Sequence, residues 1–358
     1  MILNSYDDLE PYLKKKTLLV CGNSIKSLRI GNYLKNRTNV VRFSDFKPNP
    51  SYESVVNGVN VFHKEKCENI IAIGGGSAID VAKCIKLFSN MPSDINYLQQ
   101  KIVKNDVPLV AVPTTAGSGS EATHFSVVYY KNEKQSVSDE SCIPTAVFFD
   151  ATVLETLPLN QKKATMMDAL CHAIEAYWSV NATSESMQYS DDAIKIIINN
   201  YKDYLSGNNA VNEAMLKASN LAGNAINIAK TTAGHAMSYK LTTVYNIPHG
   251  QAVALCLSQI WPYMFDYVSS NSVHSNSKEN MMVIFSKIAK AMNCNLPEEA
   301  ISRFQLLVKE LELSVPKVNT TVDYEVLSSS VNTERLKNNP VVLSKDVIKS
   351  LYQKVMEF

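Results

Sequence analysis

Through the first part of the chain, short apolar runs alternate with amphipathic ones, the pattern of a parallel α/β sheet. The runs Thr17–Cys21, Asn39–Phe43, Asn69–Ile73 and Pro108–Val112 predict strands, with helices between them at Ser24–Leu34, Tyr52–Lys66 and Ala78–Phe88. His124–Tyr130, Gln135–Ser138 and Ala146–Phe149 read as further strands, the first two forming a hairpin across Lys131–Lys134. From Leu159 onward the period becomes helical, over Gln161–Val180, Ser184–Asn199, Asn212–Ile228, Gly250–Tyr267, Glu279–Met292, Glu298–Glu312 and Lys345–Glu357. Pro158 disfavours helix at Leu157, which places a boundary there. The expected organisation is an α/β domain over residues 1–157 and an all-helical domain over 158–358. Ser269–Lys278, rich in Ser and Asn, reads as a loop.

Composition narrows the field only a little. A hydrophobic fraction of 46% and a charged fraction of 19% are those of an ordinary globular protein. With a net charge of +1 there is no basic field to attract nucleic acid or an anionic membrane. The polar, acidic stretch Met1–Glu10 is no signal peptide, and no apolar run is long enough to span a bilayer. The seven cysteines form no CxxC pair, which argues against a disulfide framework or a zinc knuckle. The expected location is cytoplasmic.

Two loops carry candidate chemistry. Asn69–Ile73 runs directly into Gly74-Gly75-Gly76-Ser77 and then a helix. Glycines at such a turn let backbone N–H groups approach a phosphate, and the helix N-terminus adds partial positive charge. Ser77 is expected to cap the helix, with Asp80 completing a capping-box-like pair. Alone, the motif is equally a tight turn without a ligand. The hydroxyl- and glycine-rich Pro113–Glu121 segment follows another buried strand and strengthens the phosphate reading. Two such loops at successive strand ends fit a ligand at the carboxyl edge of a parallel sheet. Neither matches GxGxxG or GxxxxGKS.

Farther on, Asp168 and His172 lie four apart in a predicted helix, so they share one face. His235 and His249 flank a segment ending Ile247-Pro248-His249-Gly250. Any one of these histidines is more simply a packed or surface residue. Together, one carboxylate and three imidazoles suit a divalent first-row metal with a position left for substrate. Ligand type does not separate Zn²⁺, Fe²⁺, Co²⁺ and Ni²⁺.

With Pro48-Asn49-Pro50, GGGSAIDVAK, PTTAGSGSE, DALCHAIEAY and GHAMSYKLTTVYNIPHG in this order, the sequence resembles the iron-containing (group III) alcohol dehydrogenases. Their superfamily also holds glycerol dehydrogenase and dehydroquinate synthase. The resemblance implies an N-terminal α/β dinucleotide-binding domain and a C-terminal all-α metal-binding domain. It implies NAD(P)H and a divalent metal, Fe²⁺ with Zn²⁺ as the alternative, held by Asp168, His172, His235 and His249. Cofactor contacts would fall on Gly75, Gly76, Ser77 and Asp80 near the diphosphate, and on Thr114, Thr115 and Ser118 in the second loop. Lys134 would reach the ribose and Leu154 would lie beside the cofactor. A homo-oligomer, a dimer first, is expected.

The chain departs from the family pattern in informative places. A relay histidine common four residues after the ligand at His235 is here Tyr239, which also serves as a plain packing residue. An Asp often found before Pro-Asn-Pro in NAD-preferring members aligns with Ser44, which favours NADPH; a one-residue shift to Asp45 reverses this. The HAMSYKLTTVYNIPHG and Ser120–Thr123 stretches look most like the phosphonoacetaldehyde reductase (hydroxyethylphosphonate dehydrogenase) branch. There Lys230 would supply a cation, with Thr231, Thr232 and His124 as donors. The expected reaction is hydride transfer from NAD(P)H to a small aldehyde, phosphonoacetaldehyde becoming 2-hydroxyethylphosphonate. Butanol, glycerol or sulfoacetaldehyde chemistry is the alternative. A dehydroquinate-synthase-like lyase is disfavoured by the lack of a dense Lys/Arg set, and a non-catalytic binding protein by the retention of all four ligand positions.

Overall fold

A computed structural model describes residues 1–131, 133–269, 275–315 and 322–358. Its strands are β1 Ile2–Leu3, β2 Thr17–Cys21, β3 Val40–Phe43, β4 Asn69–Gly74, β5 Leu109–Pro113, β6 Phe125–Tyr130, β7 Glu133–Ser138 and β8 Ala146–Phe148. The helices of the first part are α1 Glu10–Leu13, α2 Arg29–Leu34, α3 Tyr52–Lys64 and α4 Gly76–Phe88. Then follow α5 Leu159–Trp178, α6 Ser184–Ser206, α7 Asn212–Ala229, α8 Ala233–Tyr245, α9 His249–Ser269, α10 Ser275–Ala291, α11 Pro297–Glu310, α12 Tyr324–Ser329, α13 Thr333–Leu336 and α14 Lys345–Glu357. The chain divides into two compact units, Met1–Leu157 with Gly207–Asn220, and Pro158–Ser206 with Leu221–Phe358. The segment Gly207–Asn220 thus groups with the first unit although it follows Pro158 in sequence.

In the first unit, six strands form a parallel sheet in the order β1-β8-β5-β4-β2-β3. The central strands β2, β4 and β5 are buried along their whole length, which is why they read as continuous apolar runs. The strand order reverses direction between β2 and β4, the kind of switch point outside which open parallel sheets bind ligands at the carboxyl ends of their strands. Gly74 pairs with Pro113 across β4 and β5, which brings the two candidate loops out side by side. The antiparallel β6–β7 hairpin forms a separate two-stranded sheet.

The second unit is helical and built around α5, in which every residue from Met166 to Trp178 is buried. A helix enclosed on all sides is normally apolar all round. This one also buries Asp168, His172 and Glu175, and such groups need partners. Trp178 and Trp261 meet edge to face at 5.6 Å, and Trp261 meets Phe304 at 5.8 Å.

Three expectations change. Ser24–Leu34 divides into a 3₁₀ turn over Asn23–Ser27 and the short helix α2. The segment between His235 and His249 is mostly helix: α8 ends at Asn246 in the left-handed conformation (φ 50°), and Pro248 precedes α9. In the predicted loop Ser269–Lys278, residues 270–274 lie outside the described residues, while α10 already starts at Ser275. Among the described residues, no helix is long and apolar enough to cross a membrane.

Candidate functional site

In the first unit, β4 delivers the glycine loop directly into α4. Gly75, not Ser77, is the N-cap, and no side chain caps the helix, because α4 begins at Gly76. Ser77 therefore lies inside the first turn, and the expected capping box does not form. Asp80 instead accepts hydrogen bonds from Ser120 Oγ (2.6 Å) and the Val127 N–H (3.1 Å), tying α4 to the second loop and to β6. Burial raises its pKa, with Lys83, Ser120, Val127 and Lys134 opposing the rise.

The two loops touch through their glycines. A Cβ at Gly75 would lie 3.2 Å from Thr115 Oγ1, and one at Gly76 would lie 3.0 Å from Ser118 Oγ. The Thr114 N–H donates to the Gly74 carbonyl at 3.0 Å. Lys83, fully buried, donates to the carbonyls of Thr123 (2.7 Å) and Phe125 (2.8 Å) and anchors the far end of the second loop. Gly75, Gly76, Ser77, Thr114, Thr115, Ser118 and Lys134 are thus gathered around these loops and the neighbouring hairpin. Leu154 is fully buried in the turn Ala151–Leu154.

Ser44 is exposed just beyond β3, and its neighbour Asp45 accepts from Asn57 at 3.3 Å. Arg42, on β3 itself, donates to the Gly22 carbonyl at 3.0 Å, at the carboxyl end of β2. His124 lies on Phe125, with Nδ1 3.8 Å from Glu140.

In the second unit, Asp168 on α5, His235 on α8 and His249 at the start of α9 converge, each offering a ligand atom within 4.8 Å of the others. His172 stands one turn along α5 and stacks on His235 with ring centroids 4.4 Å apart. Among the described residues, the buried atoms Asp168 Oδ1 and His235 Nε2 have no hydrogen-bond partner, and they face each other at 3.6 Å. Two buried polar atoms facing each other without a hydrogen bond form a costly arrangement, and a cation between them relieves it. The residues present therefore fit a divalent metal. Burial alone would raise the Asp168 pKa, but His172, His235 and His249 outweigh it and hold the carboxyl well below its usual range.

Glu175, absent from the sequence expectations, completes the centre. It is fully buried two turns along α5 from Asp168. Its Oε1 accepts from the Gly234 N–H (2.7 Å), the Thr232 hydroxyl (2.7 Å) and the Thr232 N–H (3.2 Å), capping α8. Its Oε2 bonds His235 Nδ1. Burial opposes ionisation of Glu175, yet His235 and these donors keep its pKa below the ordinary carboxylate value. The signal was present in the sequence: Asp168, His172 and Glu175 share one helical face at i, i+4 and i+7.

Tyr239 stacks parallel to His249, centroids 5.7 Å apart. Lys230 is exposed and left-handed (φ 62°) just after α7. The cation beside Tyr239 is Arg335 of α13, 5.5 Å from the ring centroid and bonded to Thr231 Oγ1. Thr232 is spent on Glu175, not exposed to a ligand.

Comparison with known proteins agrees with this architecture. Residues 2–151 match the family described as iron-containing alcohol dehydrogenase, and residues 162–356 match its C-terminal domain. The NADPH-dependent butanol dehydrogenase of Clostridium saccharobutylicum is 30% identical, over 95% of this chain and 91% of its own. Aldehyde-alcohol dehydrogenase 2 of Entamoeba histolytica is 30% identical over 79% of this chain, which spans 35% of that longer protein. The fold matches that of sulfoacetaldehyde reductase from Bifidobacterium kashiwanohense, solved with NAD⁺, with a TM-score of 0.86 at 24% identity, covering 99% of this chain and 96% of that one. The chain belongs to the iron-containing alcohol dehydrogenase family of oxidoreductases.

Proposed function

We propose that this enzyme reduces a small aldehyde with NAD(P)H, its substrate being phosphonoacetaldehyde and its product 2-hydroxyethylphosphonate. The reaction balances as aldehyde + NAD(P)H + H⁺ → primary alcohol + NAD(P)⁺. The observation that carries the reading is the pair of unsatisfied buried atoms, Asp168 Oδ1 and His235 Nε2, beside His249. Asp168, His235 and His249 would hold the metal, with His172 as the fourth ligand. A bound Fe²⁺ or Zn²⁺ supplies a Lewis acid that stabilises negative charge developing on the carbonyl oxygen.

The glycine loop and the Thr114–Ser118 loop would hold the cofactor diphosphate at the N-terminus of α4. Arg42, beside the carboxyl end of β2, favours a 2′-phosphate and hence NADPH. The NADPH dependence of the butanol dehydrogenase relative favours the same cofactor. An oxyanion-bearing aldehyde is favoured by Arg335, which forms no ion pair among the described residues and lies against Tyr239.

The test is NADPH and NADH oxidation by chelator-stripped, metal-restored enzyme with phosphonoacetaldehyde, sulfoacetaldehyde and butanal. The highest kcat/KM with phosphonoacetaldehyde and NADPH supports the reading. Equal or faster turnover of butanal overturns the phosphonate assignment and leaves a reductase of neutral aldehydes.

A further inference from the structure

Glu175 makes two sets of contacts with the two oxygens of one carboxylate. Oε1 receives the backbone N–H groups and hydroxyl at the start of α8, and Oε2 faces His235 Nδ1. Neither oxygen meets solvent, since the side chain is fully buried. The fit around it is close: a Cβ at Gly234 would lie 3.0 Å from Oε1.

A neutral imidazole carries one proton on either of its nitrogens, and the partner of one nitrogen decides the state of the other. An ionised carboxylate only accepts hydrogen bonds. We infer that Glu175 is a positioning residue that fixes His235 as the Nδ1–H tautomer, leaving the Nε2 lone pair directed toward Asp168 for a metal. The inference rests on the metal site proposed above, and extends it to a residue outside the ligand set.

The double role gives Glu175→Gln an unusual expected outcome. If the amide oxygen stays with the α8 donors, the amide NH₂ points at His235 Nδ1. Nδ1 must then accept, and the ring proton moves to Nε2, where it occupies the metal-facing lone pair. If the amide is reversed, its NH₂ meets the Gly234 and Thr232 N–H donors in a buried place. Neither orientation satisfies both sides, although Gln has nearly the shape of Glu. Partners of this kind commonly contribute about 10–100-fold to metal affinity.

Two readouts test this on the full chain. The first is the tautomer of His235 in metal-stripped, ¹⁵N-histidine-labelled protein, read from long-range ¹H–¹⁵N couplings. The wild type is expected to carry a proton on Nδ1, and Glu175→Gln to carry its proton on Nε2 alone. The second is Zn²⁺ affinity by competition with a chromogenic chelator, expected to fall about 10–100-fold in Glu175→Gln. A purely structural cap would lower the melting temperature of the variant and leave the tautomer unmoved, which overturns the inference. So does a wild-type His235 with no proton on Nδ1, a result that requires no variant to fold. Absence of Zn²⁺ binding by the wild type, with His235 still in the Nδ1–H form, would instead refute the metal site and keep the positioning role of Glu175.

Discussion

Gly250 sets how closely α9 approaches α5 beside the Asp168–His235–His249 cluster. A Cβ built on it would lie 2.0 Å from the Ala164 carbonyl oxygen and 2.7 Å from Asp168 Cβ. The first obstacle is backbone, which cannot rotate aside. Gly250→Ala must therefore move the start of α9 away from α5 by about 1.4 Å or more to restore an ordinary contact, and such overpacking costs about 1–3 kcal/mol. His249 is the preceding residue and Asp168 lies on the facing helix, so the shift opens the ligand set itself. A displacement of about 1 Å at a reacting centre costs on the order of 100-fold in rate. The variant is expected to melt lower, by about 1–2 °C per kcal/mol lost. Its Zn²⁺ affinity and kcat/KM are expected to fall more steeply than stability alone explains. Melting curves, chelator competition and steady-state kinetics on the same preparation give all three quantities. Wild-type metal affinity and wild-type turnover in Gly250→Ala would refute the claim that this helix contact sets the site.

Further outcomes follow from other buried groups. Lys83→Met leaves the Thr123 and Phe125 carbonyls without their donor, at a cost of about 2–5 kcal/mol read as a lower urea midpoint; an unchanged midpoint would remove Lys83 as the anchor of the second loop. Tyr239→Phe keeps the ring stacked on His249, so kcat is expected to stay within about threefold of wild type. A loss of kcat of about 100-fold with KM unchanged would instead make the hydroxyl a proton relay. Burial pushes the thiols of Cys67 and Cys142 up to about 11, so the folded chain keeps protons that the unfolded chain releases above an ordinary thiol pKa. Stability from these groups is complete below pH ~9 and declines as pH rises toward ~11. A urea midpoint that rises over that interval would contradict the assignment.

The parts of the fold legible in the sequence are those where one physical demand dominates. β2, β4 and β5 are buried on both faces, and so appear as unbroken apolar runs within a residue of their observed bounds. The convergence of Asp168, His235 and His249 was readable because few residue types serve as ligands. Helix α8 was not, because its apolar periodicity is interrupted by Gly234, His235, Ser238 and two adjacent threonines, Thr242 and Thr243. The roles of Asp80 and Arg335 were also hidden. Asp80 is claimed by Ser120 and Val127 rather than by its own helix, and Arg335 meets Thr231 from 104 residues away. Such pairings depend on which helices pack together, and local spacing carries no record of that.

The central claim is that Asp168, His235 and His249, with His172, hold a metal on which aldehyde reduction depends. Its most direct test is a titration of chelator-stripped enzyme with Fe²⁺ or Zn²⁺ while NADPH oxidation is followed with phosphonoacetaldehyde. Oxidation is expected to be negligible without metal and to rise until it saturates at one equivalent per chain, with Asp168→Ala showing no rise at all. Full turnover by the stripped enzyme, or an undiminished response in Asp168→Ala, would contradict it.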